Sequence, residues 1–313
     1  MAKIREITSG LEFPEGPIAM DDGSVILVEI KRGTLTRVKP DGTKEVVAET
    51  GGGPNGAAIG PDGKCYVCNN GGFEWIDAGG LTVPHGIPSS YTNGYIQRVD
   101  IDTGRVETIY TECDGNKLCG PNDIVFDATG GMWISDFGKV RDRDRDRCGL
   151  YYAKPDGSMI KEMVFPIDGP NGIGLAPGDA ALYAAQTFES RVWKWNITGP
   201  GELERVEGEG GPLLAGPGGG VLLAGLPGDQ LLDSLAVDGA GNVCVATIIN
   251  GGITVISPDG SSIEHVPVPN DPVVTNICFG GPDLTTAYMT LSGTGKLVAM
   301  DWPRAGLKLN YAR

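Results

Sequence analysis

The chain has 313 residues, including 50 Gly and 22 Pro, and a formal net charge of −15. Such an acidic chain repels phosphate backbones and anionic lipids, and no basic stripe interrupts it, so neither nucleic acid nor a membrane is expected as a partner. Frequent Gly and Pro favour many short strands joined by tight turns, which predicts an all-β protein.

The amino-terminal segment MAKIREITSG lacks an apolar signal core, and no run of about 18 apolar residues follows, so we expect a cytoplasmic protein. The seven Cys are odd in number and lie partly inside apolar strands, where a thiol behaves as a small hydrophobe. We therefore expect reduced thiols. Cys113 and Cys119 flank a loop and are the one pair that we expect to bond under oxidation.

Six copies of one pattern follow one another along the chain. Each copy opens with an acidic or amide residue at the head of an apolar strand, passes through a Gly/Asp turn, and ends a second strand on another polar residue. The opening residues are Glu15, Asn55, Asn122, Asn171, Asp233 and Asn276, and the closing residues are Glu29, Asn69, Asp136, Gln186, Thr247 and Thr290. Their spacing is the same in every copy except the fourth, whose turn carries one extra residue.

A third and a fourth strand complete most copies. Four-stranded units of about 40 to 50 residues, repeated in this way, predict a six-bladed β-propeller with antiparallel blades around a channel. We expect one domain over residues 1–313, with insertions at about 71–94, 138–148 and 199–228. The segment KIREIT, Lys3 to Thr8, is expected to add the missing outer strand of the last blade and so to close the ring.

The opening residues are expected to converge on the propeller axis, because the first strand of each blade lines the channel. Their carboxylate and amide oxygens form a hard-oxygen set that suits Ca²⁺, with Mg²⁺ or Mn²⁺ as alternatives. For any single Pro-Asn-Gly, a simple loop preference of Asn is the competing explanation. It is weaker for Glu15 and Asp233, because two carboxylates that face one narrow channel need a cation or a shared proton.

Several motifs together resemble the regucalcin/gluconolactonase family over nearly the whole chain. They are FPEGP at 13–17, GPND at 120–123, WISD at 133–136, GPNG at 169–172, LYAAQT at 182–187 and LDSLAVD at 232–238. That family comprises calcium-dependent six-bladed propellers, among them gluconolactonases, xylonolactonases, regucalcin and diisopropyl fluorophosphatase. The resemblance implies that Glu15, Asn171 and Asp233 bind the metal, that Asn122 is a fourth ligand or a substrate contact, and that a sugar lactone or another cyclic ester is hydrolysed.

The expected chemistry is metal-assisted opening of a lactone ring. The resemblance makes Ca²⁺ the expected cofactor, and Mg²⁺, Mn²⁺, Zn²⁺ and Fe²⁺ are kept as alternatives. The metal would act as a Lewis acid and Asp233 as the general base that activates water, while direct attack by the Asp233 carboxylate is the less favoured variant. Amides of Asn55 and Asn122 would orient the substrate or donate to the developing oxyanion.

This chain departs from the family pattern in ways that bear on its substrate. Leu232-Asp233-Ser234 replaces the usual Pro-Asp-Gly, and Gly120 stands where animal regucalcins have an arginine that contacts the sugar acid. An apolar set in or near the loops over the site favours a hydrophobic or aromatic lactone instead; its members are Phe73, Trp75, Ile76, Tyr91 and Phe137. The full set of expected substrate contacts is Asn55, Phe73, Trp75, His85, Asp136, Phe137 and Gln186.

Other interpretations of the sequence stay open. A phosphotriesterase-like hydrolase could use the same metal site, and a propeller could also be a non-enzymatic binding module, because fold does not determine function. The segment RDRDRDR at 141–147 predicts an exposed loop whose charges neutralise one another, with a part in substrate access or subunit contact as the alternative. The expected partner is a small-molecule lactone, and the chain is expected to be a monomer or a homodimer.

Overall fold

The computed structural model describes residues 3–206 and 216–311. Within them, six antiparallel sheets follow one another as the blades of a β-propeller, which confirms the predicted fold. Regular structure in this part of the chain is otherwise limited to two small hairpins and two 3₁₀ turns, and it holds no helix long and apolar enough to cross a membrane.

Each blade begins with a strand at the channel and ends with a strand at the outer rim. Blade 1 comprises Pro14–Ala19, Val25–Glu29, Thr34–Val38 and Lys44–Glu49. Blade 2 comprises Pro54–Ile59, Cys65–Asn69, Tyr95–Val99 and Val106–Tyr110. Blade 3 comprises Pro121–Phe126, Met132–Asp136, Cys148–Ala153 and Ile160–Ile167. Blade 4 comprises Pro170–Leu175, Ala181–Gln186, Arg191–Gly199 and two outer strands, Glu202–Leu203 and Val221–Gly225.

Blade 5 comprises Leu231–Val237, Val243–Ile248, Gly252–Ile256 and Ile263–Pro267. Blade 6 comprises Val274–Gly280, Thr286–Leu291, Lys296–Asp301 and the amino-terminal strand Arg5–Ser9. The hairpins are Trp75–Asp77 with Thr82–Pro84, and Glu112–Cys113 with Asn116–Lys117; the 3₁₀ turns are Pro177–Asp179 and Pro217–Gly219.

The amino-terminal strand closes the ring, as the sequence predicts. Arg5–Ser9 pairs antiparallel with Lys296–Asp301, and the register places Arg5 opposite Ala299 and Ser9 opposite Lys296. This pairing joins the two ends of the chain in one sheet and covers an edge that would otherwise be open to pairing with another molecule.

Blade 4 differs from its prediction. The sequence suggests ELERVEG, residues 202–208, as the outer strand. Of its described residues, 202–206, Glu202–Leu203 pairs there, and Val221–Gly225 forms the longer outer strand against Arg191–Gly199. The predicted insertion at 199–228 therefore includes a strand of the blade at its end. Residues 207–215, in the middle of that insertion, lie outside the described residues.

Second strands are buried on both faces, because each blade is stacked between two others. All five residues of Val25–Glu29 are buried, whereas most of the outer strand Ile263–Pro267 is exposed. The core therefore lies between neighbouring blades. Trp133 of blade 3 and Trp195 of blade 4 are both almost fully buried in one such layer. Burial on both faces explains why second strands are nearly continuous apolar runs in the sequence.

A β-bulge interrupts the first strand of every blade. In five blades the register shifts just at the opening residue of the motif, for example between Glu15 and Ile18. In blade 6 the shift falls one residue earlier, at Thr275, and Asn276 lies directly opposite Thr290, while the register beyond the bulge matches the predicted alignment. Because a bulge bends the strand and redirects its side chains, it allows the opening residue to face the axis.

Glycine follows the opening residue where neighbouring first strands touch. A Cβ on Gly16 would lie 2.7 Å from the carbonyl oxygen of Asn55, and a Cβ on Gly172 would lie 2.5 Å from the backbone nitrogen of Leu235. Backbone atoms cannot yield as a flexible side chain can. The Gly of the repeated Pro-Asn-Gly therefore permits the close approach of adjacent blades around the axis.

The closing residues bind loops within their own blades. The Asp136 carboxylate accepts hydrogen bonds from the backbone nitrogens of Cys119 at 2.8 Å, Gly120 at 2.6 Å and Gly138 at 2.9 Å. Asn69 accepts from Gly53 in the same way, at 2.8 Å. Asn69 and Asp136 thus fasten the segments that lead into the first strands of blades 2 and 3.

The lower half of the channel is an apolar cavity. Its volume is about 640 Å³, and it extends from Gly16, Asp123 and Asn276 to the carboxy-terminal residues 307–311. That segment crosses the end of the channel opposite the Pro-Asn-Gly turns, where the Asn310 amide donates to the carbonyl of Phe126 at 3.0 Å. Residues 307–311 therefore line this end of the channel.

We expect Asp136→Ala to destabilise the fold by about 3 kcal/mol or more, because it leaves three backbone N–H groups without their carboxylate acceptor. Urea unfolding followed by circular dichroism measures the change in the free energy of unfolding. Asp142→Ala, in an exposed loop of the same blade, is the matched control and should change stability little. Equal stability of the two variants would contradict this role of Asp136.

Candidate active site

Glu15 lies at the bulge of blade 1 and is only 2% exposed. Its carboxylate accepts a hydrogen bond from the backbone nitrogen of Gly16 at 2.8 Å and another from the Asn276 amide at 2.7 Å. Burial raises the pKa of Glu15, because removal from water disfavours the charged form. The pair of Glu15 and Asn276 joins the first and last blades across the channel wall.

Asp233 lies at the bulge of blade 5 and is half-buried. Asn171 of blade 4 lies beside it, because the hydroxyl of the next residue, Ser234, donates to Asn171 Oδ1 at 3.5 Å. Burial, and next the nearby charge of Glu15, raise the pKa of Asp233 well above its ordinary value. The structure therefore brings Glu15, Asn171 and Asp233, which are far apart in the sequence, to one level of the channel.

Asp123 is a third acidic residue of the channel that the sequence analysis missed. Its carboxylate accepts from the backbone nitrogens of Ile124 at 2.9 Å and Ile173 at 3.2 Å. Burial, opposed in part by these bonds and reinforced by the charge of Glu15, raises the pKa of Asp123 to about 7. The sequence contained a signal for it. The residue after the opening residue is Gly16 in blade 1 and Gly172 in blade 4, but in blade 3 it is the acidic Asp123.

The donor set at this level fits a hard cation. Among the described residues, Asn122 Oδ1 is buried without a hydrogen-bond partner, although Asn122 itself is only 6% exposed. No salt bridge in that part of the chain involves Glu15, Asp123 or Asp233, so no basic side chain there neutralises them at short range. An orphaned amide oxygen beside uncompensated carboxylates is the arrangement that an oxygen-coordinated divalent cation satisfies.

Asn55 lies at the corresponding bulge of blade 2 and is 7% exposed. Its backbone carbonyl packs against Gly16 of blade 1. The same stretch of blade 2 meets blade 3, because a Cβ on Gly56 would lie 2.4 Å from the carbonyl oxygen of Asn122. Asn55 therefore belongs to the same ring of bulges as the acidic residues.

The insertion at 71–94 reaches across the channel mouth. The Trp75 ring packs 4.9 Å from that of Phe13 and 5.9 Å from that of Phe73, measured between centroids. Phe13 precedes Pro14-Glu15 in blade 1, and the backbone nitrogen of Thr82 donates to Gly293 of blade 6 at 2.9 Å. The hairpin that begins in blade 2 is therefore docked on blades 1 and 6, directly beside the motif that carries Glu15.

A second aromatic pair lies next to Asn171. The rings of Phe137 and Phe188 are 5.5 Å apart, and both lie against Gly169, two residues before Asn171. Arg145 lies 4.6 Å from the Phe188 ring centroid. Phe188 is 37% exposed and was missed by the sequence analysis, because its Thr-Phe-Glu context follows a strand with no pattern that marks a binding site.

The loop at 141–147 is mostly self-neutralising, as its alternating charges predict. Arg141 forms salt bridges with Asp144, at 2.5 Å, and with Asp146. Arg145 instead reaches blade 4, where it pairs with Asp168 at 3.4 Å and Glu189 at 3.1 Å. These ion pairs hold Arg145 over Phe188 and so fix one wall of the channel mouth.

Other predicted substrate contacts lie elsewhere. Asp136 and Gln186 were expected at the site, but the structure buries both inside their blades, where Asp136 binds loop nitrogens and Gln186 accepts from the Trp193 indole at 2.8 Å. His85 is exposed, Ile76 is 44% exposed, and Tyr91 donates its hydroxyl to the carbonyl of Cys119 at 2.6 Å. Asp136 and Gln186 are buried because successive side chains of a strand point to opposite faces, which turns the closing residue of the second strand into the blade.

Cys113 and Cys119 are the pair that the sequence analysis expects to bond under oxidation. All seven cysteines are free, and the Cys113 thiol points to the carbonyl of Ile160 at 3.7 Å rather than to Cys119. Cys119 and Cys148 instead lie with Asp136 in a group whose ligand atoms are within 4.8 Å of one another. Thiols suit softer metals such as Zn²⁺, so this group is chemically distinct from the oxygen set of the channel.

Comparison with known proteins agrees with the motifs. The sequence model of the family described as SMP-30/Gluconolactonase/LRE-like region matches residues 13–293. A protein named lactonase drp35 from Staphylococcus saprophyticus is 26% identical over 262 residues, which cover 83% of this chain and 71% of that protein.

Solved structures share the fold. A gluconolactonase from Xanthomonas campestris has a TM-score of 0.73 at 21% identity, with 96% of this chain and 90% of that chain covered. The calcium-binding protein regucalcin from Agrobacterium tumefaciens has a TM-score of 0.69 at 16% identity, with 100% and 95% covered. These findings confirm the resemblance inferred from the motifs and, with it, the prediction of an enzyme of the lactonase class. The chain belongs to the SMP-30/gluconolactonase/LRE-like family.

Proposed function

We propose that this chain hydrolyses a lactone that carries an apolar or aromatic substituent, at the ring of bulges around Glu15, Asn171 and Asp233. The observation that carries the proposal is the convergence of buried acidic and amide oxygens, including the orphaned Asn122 oxygen, beneath an aromatic channel mouth. The family and the relatives named lactonase and gluconolactonase support lactone hydrolysis as the reaction type.

Glu15, Asn122, Asn171 and Asp233 are the residues that would hold a divalent cation, with Ca²⁺ first because all the donors are oxygens. A calcium-binding regucalcin among the structural neighbours agrees with a divalent metal. When bound, the cation would polarise the ester carbonyl and compensate the negative charge that develops on its oxygen.

Asp233 is the group that would move a proton. Water attacks the carbonyl carbon while the Asp233 carboxylate accepts a proton from that water. The bond between the carbonyl carbon and the ring oxygen then breaks, and the ring oxygen takes that proton from Asp233 and leaves as an alcohol. The half-buried position of Asp233 suits this role, because it keeps the carboxylate open to the channel beside Asn171.

The remaining residues would orient the substrate. Asn55 and Asn122 present amides at the level of the ring, where their N–H groups can donate to the developing oxyanion. Above them, Trp75 and Phe137 offer aromatic surface, with the buried Phe13 packed against Trp75. The hydroxyl groups of a sugar ring would lose their bound water against that surface at a cost. An apolar substituent gains from the same surface, which is why we propose an apolar or aromatic lactone.

Asp233→Asn is expected to lower the turnover number for lactone hydrolysis by a factor of about 10² to 10⁴, the usual contribution of a general base, while the protein stays folded. Glu15→Gln is expected to abolish binding of Ca²⁺ in isothermal titration calorimetry and to abolish activity as well. Dialysis against a chelator should stop turnover of the unmodified protein, and added Ca²⁺ should restore it.

Asp21→Asn is the matched control for these variants. Asp21 is an exposed residue in the turn at the other end of blade 1, so its loss should leave metal binding and turnover unchanged. Full activity of Asp233→Asn would remove Asp233 from the mechanism, and full activity of chelated protein would exclude a catalytic cation.

Trp75→Ala is expected to raise KM for a phenyl-substituted lactone about tenfold, because about 1.4 kcal/mol of contact with the aromatic ring is lost. KM for an unsubstituted aliphatic lactone should change little. Steady-state assays by pH indicator measure both, on a panel that includes glucono-1,5-lactone and a neutral phosphotriester.

Ile76→Ala supplies the control in the same hairpin, because Ile76 points outwards and is 44% exposed. A preference of the unmodified protein for glucono-1,5-lactone would refute the apolar substrate while leaving lactone hydrolysis in place. Turnover of the phosphotriester alone would instead support the alternative hydrolase.

A further inference from the structure

Lys139 is a buried lysine outside the ring of bulges. It lies in the connection between the second and third strands of blade 3 and is only 1% exposed. Burying an ammonium group is costly unless it is paired or hydrogen-bonded, and burial lowers the pKa of Lys139 to about 7. The contacts that compensate this cost therefore show what the side chain stabilises.

Those contacts belong to the insertion at 71–94 and the residue before it. Lys139 Nζ donates to the carbonyl of Gly72 at 2.7 Å and to Asn70 Oδ1 at 3.4 Å. It also lies 4.2 Å from the ring centroid of Phe73 and 5.0 Å from that of Tyr91. Gly72 and Phe73 are at the start of the insertion and Tyr91 is near its end, so one ammonium group contacts both ends of it.

Lys139 is itself held in place by blade 3. Its backbone nitrogen donates to Asp146 Oδ2 at 3.0 Å, and its backbone carbonyl accepts from the nitrogen of Asp146. The negative groups that face the ammonium are the Asp136 and Asp146 carboxylates, with the Cys119 thiol nearby. The lysine is thus anchored at one end to blade 3, and its other end determines where the insertion from blade 2 leaves the propeller.

A continuous series of contacts leads from Lys139 to the site. The ammonium lies over Phe73, whose ring packs at 85° against that of Trp75, and the Trp75 ring packs against that of Phe13. Phe13 is two residues from Glu15. A cation over an aromatic face contributes more where water is excluded, as it is around this buried side chain. A shift of Phe73 would therefore move Trp75 relative to the channel mouth.

We propose that Lys139 is a positioning residue that fixes the aromatic surface of Phe73 and Trp75 over the channel and thereby sets how large a lactone the site accepts. Its effect on specificity rests on the proposed function, whereas its effect on the position of Trp75 does not. Lys139 itself is buried and does not touch the substrate. It acts on the binding of bulky substrates and leaves the bond-breaking residues in place.

Lys139→Met tests this inference, because methionine keeps the length and apolar stem of the side chain but removes its charge and its hydrogen bonds. The variant should raise KM for a phenyl-substituted lactone about tenfold, with kcat within about twofold and KM for a small lactone unchanged. Phe73→Leu should have a similar effect, and the double variant should be no worse than either one, since Lys139 acts through Phe73.

A fluorescence measurement keeps the inference testable without enzyme activity. The chain has five Trp, of which Trp133, Trp193, Trp195 and Trp302 are buried, so Trp75 is the tryptophan open to a quencher. Acrylamide should quench Lys139→Met more strongly than the unmodified protein, and Trp75→Phe should remove the difference. Lys161→Met, on the exposed outer strand of blade 3, is the control and should leave quenching unchanged.

The outcomes separate the two proposals. If no lactone is hydrolysed but Lys139→Met increases quenching, the positioning of Trp75 stands and the proposed function fails. If lactones are hydrolysed and the folded Lys139→Met protein, checked by its thermal unfolding midpoint, shows unchanged quenching and unchanged KM values, Lys139 has no positioning role. Additive effects of Lys139→Met and Phe73→Leu on KM would also overturn the proposed route through Phe73.

Discussion

The close approach of six first strands around one axis is the constraint on which the rest of this structure depends. Neighbouring strands come so near that a Cβ at Gly16 or Gly172 would collide with the backbone of the next blade. Each strand carries a bulge at this level. The bulges direct polar side chains towards the axis. Closing residues such as Asp136 hold the turns that lead into the first strands.

The same crowding creates the chemical character of the channel. Glu15 and Asp123 are buried, Asp233 is half-buried, and the three lie near enough to influence one another, so the pKa of each is raised. Backbone N–H groups and amides stabilise them only in part. A ring of this kind favours a bound cation or a retained proton, and both are means by which a site can bring about ester hydrolysis.

The long connections determine what can reach that ring. Blade 2 sends an aromatic hairpin across the mouth to blades 1 and 6, and blade 3 sends Arg145 to hold Phe188 beside Asn171. Lys139 joins these two regions, since it is rooted in blade 3 and contacts both ends of the hairpin's insertion. The shape of the channel mouth thus depends on a small number of contacts made by charged side chains of blade 3.

The sequence by itself determined the fold class, the six repeats, the strand that closes the ring and the acidic and amide residues that open each copy. These features follow from a repeat period and from residue spacings, which can be read directly from the order of the residues. Tertiary structure alone decided two other features: that Asp136 and Gln186 turn into their blades, and that Val221–Gly225 completes blade 4. The physical reason is that a bulge or a strand pairing decides on which side of the backbone a side chain lies. The spacing of residues in the sequence does not show which other groups a given side chain will contact in the folded protein.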